Sequence, residues 1–84
     1  MSNLPARRGS KKHKALIALL EVAKKRSVVT FEELASEMSA LGLSKSYAEG
    51  LVKELASSGI LKRVGGGAYA VDVETLEKVL KEVE

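Results

Sequence analysis

A mainly helical α+β fold with one small β-hairpin is predicted for this 84-residue chain. Two observations predict it. Four segments repeat apolar residues every three or four positions, and each is preceded by Ser, Thr or Asp, the residues that cap helix N-termini. Between the third and fourth segments, two short apolar runs are joined by Gly65, Gly66 and Gly67, as the strands of a tight hairpin would be. This length allows one domain, with a small core and little room for an enclosed catalytic cleft.

Residues 1–9, "MSNLPARRG", hold the only proline and show no apolar period, so residues 1–10 read as a flexible basic arm and 11–84 as the folded domain. Ser10 caps a first helix running to about Arg26, with Ala15, Leu16, Leu19, Leu20 and Ala23 inward. Ile17 and Val22 widen that stripe past half the circumference, which implies burial on more than one side, by the chain's other end or by a second subunit. "SVVT" (27–30) is a short strand. Thr30 and Glu33 fit a capping box for a second helix, Phe31 to about Leu41, with Phe31, Leu34, Ala35, Met38 and Leu41 inward. Gly42 ends it. Ser44 caps a third helix, 44–58, that buries Ala48, Leu51, Val52 and Leu55 and is closed by Gly59. "ILKRV" and "AYAV" then pair as a hairpin (60–71), and Asp72 caps a last helix with the stripe Leu76, Val79, Leu80 and Val83.

The net charge of +3 conceals an asymmetry. Residues 1–30 carry eight bases and one acid, a balance of +7; residues 31–60 carry two bases and five acids, and residues 61–84 four and five. Charge separated in this way favours an anionic partner. There is no cysteine, and His13 has no histidine or cysteine partner for zinc, so no metal or other cofactor is expected. No apolar run approaches the roughly 20 residues of a spanning helix, so a soluble, cytoplasmic chain is expected, with no membrane contact. The absence of glutamine and the single asparagine, Asn3, point to a heat-adapted composition.

The element order, with "ELASEM", "GLS" and "LVKELASSGIL", resembles the winged helix-turn-helix superfamily over roughly residues 12–72, of the small archaeal and bacterial regulator type. One departure is Ser39, Ala40 and Leu41, which stand between Met38 and Gly42 where a tight helix-turn-helix has no residues. The resemblance implies a three-helix core, a hairpin wing and a C-terminal helix, with helix 44–58 in the major groove of double-stranded DNA and the wing on the backbone. The implied contacts are Ser44, Lys45, Ser46, Glu49, Gly50 and Lys53 on that helix. Lys62, Arg63, Gly65, Gly66 and Gly67 would act from the wing, and Arg7, Arg8, Lys11, Lys12 and Lys14 from the leader.

The residues support this on physical grounds. The outward stripe of the third helix is small-sided, and Gly50 costs roughly 1 kcal/mol there, which close approach to a surface would offset. The three lysines sit at the positive end of the first helix, a cost that phosphates would recover. The glycines keep the hairpin tip thin, so that its amides can lie against a backbone and position it rather than specify sequence. No Gly-Lys-Ser/Thr follows them, which argues against a nucleotide cradle. Glu32, Glu33 and Glu37 form an ordinary solvated face, no nucleophile is paired with a base, and an enzyme is not expected. Alternative readings are an RNA- or ribosome-bound winged helix and a protein-interaction module. A homodimer through the first and last helices is also expected, and no small-molecule site is evident.

Overall fold

The computed structural model describes residues 9–82. It is an α+β fold, mainly helical, in which the described residues form four helices and one three-stranded antiparallel sheet. The helices are α1 (Lys11–Lys25), α2 (Phe31–Ala40), α3 (Lys45–Ser57) and α4 (Val73–Lys81); the strands are β1 (Val28–Thr30), β2 (Leu61–Gly65) and β3 (Ala68–Val71). The sheet order is β1-β3-β2, so the short "VVT" strand pairs with the far side of the hairpin. That long-range pairing has no local signal, and it turns a hairpin into a sheet.

The helix starts are set by side chains. Ser10, Thr30, Ser44 and Asp72 each accept a hydrogen bond from the backbone N–H three residues on, and Thr30 with Glu33 completes the capping box. The ends of α2 and α3 share one device. Gly42 and Gly59 take positive φ (+81° and +86°), while Leu43 N–H donates to Met38 O and Ile60 N–H to Leu55 O. These are Schellman closures, in which the left-handed residue lets the chain turn back and satisfy the last carbonyls. Helix α2 keeps Ser39 and Ala40 as helix, so two of the three additional residues lengthen it, the third caps it, and the turn stays tight. Leu41, expected inward, is the C-cap and is 41% exposed.

The core is continuous. Leu16, Leu19, Leu34, Met38, Leu55, Ile60, Leu76 and Val29 are its largest fully buried side chains, contributed by every helix, by β1 and, through Ile60, by the turn before β2. Helix α1 packs against α4, α2 and β1, while α3 packs against α2 and β2. Expected burial of α1 on more than one side is only partly met within the chain, since Ile17 stays 39% exposed and Leu20 and Val22 are half-buried.

Candidate nucleic-acid interface

The outward ridge of α3 is open. Ser46, Gly50, Lys53 and Ser57 are all exposed, as are Lys45, Glu49 and the cap Ser44. A methyl group added at Gly50 would meet nothing within 4 Å. The chain's own packing therefore does not require glycine at that point. Its helix-propensity cost is unexplained by anything inside the molecule.

Beside that ridge lies a groove of about 630 Å³ between α3 and the hairpin. Val52, Ala56, Phe31 and Tyr69 make its apolar lining, while Glu49, Lys53 and Arg63 add charge to it. The groove thus brings together three residues expected at the site. Phe31, Ala56 and Tyr69 were not expected there, and Phe31 reads as an inward residue of the second helix. Tyr69 is buried, but its strand position opposite Arg63 makes it part of the groove wall as well. Two ion pairs occur among the described residues, Lys12 with Glu54 and Arg26 with Glu33, so Lys53 and Arg63 are both unpaired.

The strand register separates Lys62 from Arg63. Directly opposed side chains of an antiparallel pair share a face. Arg63 stands opposite Tyr69, which stands opposite Val29, on the face turned toward the helices. Lys62 stands opposite Ala70, which stands opposite Val28, on the outer face. The two bases, expected to act together, therefore act on opposite sides of the sheet. Lys62 instead approaches Asp72. The Asp72 carboxyl is held below its ordinary value first by the backbone N–H of Thr75, with the Lys62 ammonium adding to it.

The tip glycines all take positive φ: Gly65 +104°, Gly66 +58° and Gly67 +74°. A register shift between Arg63 and Gly65 leaves Val64 more than half exposed. The tip is not a free flap. Gly67 O accepts a hydrogen bond from Phe31 N–H at 3.1 Å, tying the hairpin to the first residue of α2.

The lysines of the first turn of α1 are also divided. Lys12 forms a 2.6 Å ion pair with Glu54 of α3 and is partly buried, so it links two helices and is not a free phosphate contact. Lys14 lies two residues on, about 160° around the helix from Lys12, and so faces away from α3. Lys11 is exposed. Arg7 and Arg8 lie outside the described residues. Ser10 caps the first helix as expected, its Oγ accepting from His13 N–H, and Gly9, expected in the arm, joins the cap by donating its N–H to His13 Nδ1 at 2.8 Å.

Around Lys45, a second groove of about 540 Å³ runs between α2 and the start of α3, lined also by Ser36, Leu43 and Ser44. Phe31 borders both grooves. Among the described residues no group of three His, Asp or Glu side chains could hold a metal ion, and no helix is long and apolar enough to cross a membrane. Comparison with known proteins finds no matching family model, curated protein or solved structure.

Proposed function

We propose that this chain is a winged helix protein that binds double-stranded DNA, with α3 in the major groove and the β2–β3 hairpin as its wing. The observation that carries the reading is the bare ridge of α3, where Gly50 has no internal reason to be glycine. A helix meant to approach base edges closely gains from small side chains on its leading face. Lys53 is free to reach a phosphate or a guanine edge, and Ser46 can donate to phosphate. Arg63 reaches the same side from the hairpin. The separation of Lys12 and Lys14 narrows the expected footprint, so the salt dependence should reflect few phosphate contacts from α1.

One observation favours a second reading. The lining of the α3–hairpin groove is apolar, as a protein-interaction module would require. The two readings separate in a titration of labelled duplex DNA, single-stranded DNA and structured RNA at two salt concentrations. The DNA reading expects the duplex to bind tightest and its affinity to fall as salt rises. Preference for RNA, or no binding at low salt, overturns it. Lys53→Ala should weaken duplex binding without lowering the thermal midpoint; an equal loss of stability would mean that the side chain serves the fold.

A further inference from the structure

We infer that the outer face of α1 holds a second DNA duplex, so that one chain bridges two duplexes, one on α3 and one on α1. This inference rests on the double-stranded DNA reading and adds a surface to it. The bases of α1 and its cap divide by what they meet. Lys12 is taken by Glu54 and Arg26 by Glu33, whereas Lys11, Lys14, Lys24 and Lys25 are all exposed and have no ion-pair partner among the described residues. These four fall within an arc of about 140° around the helix axis, with Glu21 as the one acid of α1 among them.

That arc looks away from the ridge of α3. Lys12 marks the side of α1 that meets α3, and the four lysines lie about 100–160° around the helix from it. Helix α1 packs on α2, α4 and β1, while α3 packs on α2 and β2, so each turns its exposed face outward from the common core. A duplex seated on α3 therefore leaves Lys14 and Lys24 uncovered.

Folding does not account for all of these charges. The helix dipole favours Lys24 and Lys25 in the last turn but opposes Lys11 and Lys14 in the first, which holds no acid. Neighbouring elements offset them only at the margins. Lys25 borders the groove that holds Glu32 and Glu37 of α2, and on the α4 side Glu77 is matched by Lys81. Lys11, Lys14 and Lys24 are left to face Glu21 alone. Lys14 and Lys24 stand about 15 Å apart along the axis, the rise of about four base pairs, so a helix laid along a duplex meets phosphates near both of its ends. Contacts of this kind need charge and spacing and carry no sequence information.

Capture of a fluorescent mixed-sequence duplex on beads carrying the same duplex unlabelled, at low salt, tests this. Wild-type protein should retain the fluorescent duplex, and retention should fall more steeply with salt than single-duplex affinity does, because two backbones release counterions. Lys14→Gln combined with Lys24→Gln should lower retention about tenfold while changing single-duplex affinity, read by anisotropy, by less than about twofold. Glu21→Gln should act in the opposite sense and raise retention, since it removes the repulsive group of the face. All three positions are exposed, so thermal midpoints should stay at the wild-type value. Failure to bind a single duplex overturns the DNA reading and the bridge with it, whereas single-duplex binding without retention overturns the bridge alone. Retention that survives the double substitution, or an equal fall in single-duplex affinity, overturns the α1 surface.

Discussion

Gly50 and Gly59 are two glycines of one helical region with opposite expected responses to a methyl group. At Gly50 the backbone is helical and the space is open. Gly50→Ala should therefore stabilise the protein by about 1 kcal/mol in urea denaturation, since alanine has the better helix propensity. Gly50→Gln should keep the fold and weaken duplex binding, because a long side chain would stand off the DNA. At Gly59, φ is +86°, where an L-residue is strained, and Gly59→Ala should cost about 1–2 kcal/mol in the same assay. The two bases of β2 also separate. Arg63→Ala should weaken duplex binding more than Lys62→Ala, because Arg63 lines the groove beside α3 and Lys62 lies on the opposite sheet face. Equal effects in anisotropy titrations would mean that the DNA reaches both faces of the hairpin.

The elements owe their boundaries to local chemistry and their arrangement to packing. The four caps were readable because each needs only a hydroxyl or carboxylate three residues before the amide it accepts from. Thr30→Ala removes the start of α2 and should cost about 1 kcal/mol, measured as a shift in the urea midpoint at unchanged slope. The ends of α2 and α3 were equally readable from Gly42 and Gly59. The short strand at 28–30 was readable too, but its partner was not. Residues 28–30 announce only extended backbone; their pairing with β3 closes a loop of some forty residues, which no local pattern encodes. The division of Lys12 from Lys14 follows from where α3 lies, since only the helix next to α1 decides which lysine meets Glu54.

Taken together, the surface carboxylates give the protein a defined response to acid. The Glu33 carboxyl is held below its ordinary value of 4.5 first by the Thr30 backbone N–H, with loss of solvent opposing and Arg26 assisting; Asp72 is likewise held below 3.8 by Thr75. Groups with lowered folded values bind protons more readily when unfolded. Their contribution is complete above the ordinary values and disappears as the pH falls through the folded ones. Thermal midpoints should accordingly hold between pH 7 and 5 and decline below about 4, and Glu33→Gln should remove the Glu33 part of that decline. The order of elements, their caps and the inward residues of each helix were determined along the chain, because capping and amphipathic periodicity act over four residues or fewer. Distances of tens of residues decided the rest. The sheet order, the separation of Lys62 from Arg63, the Lys12–Glu54 pair and the groove walled by Tyr69 and Phe31 arise where distant segments meet, and a linear pattern records which residues are apolar or charged but not which of them will become neighbours.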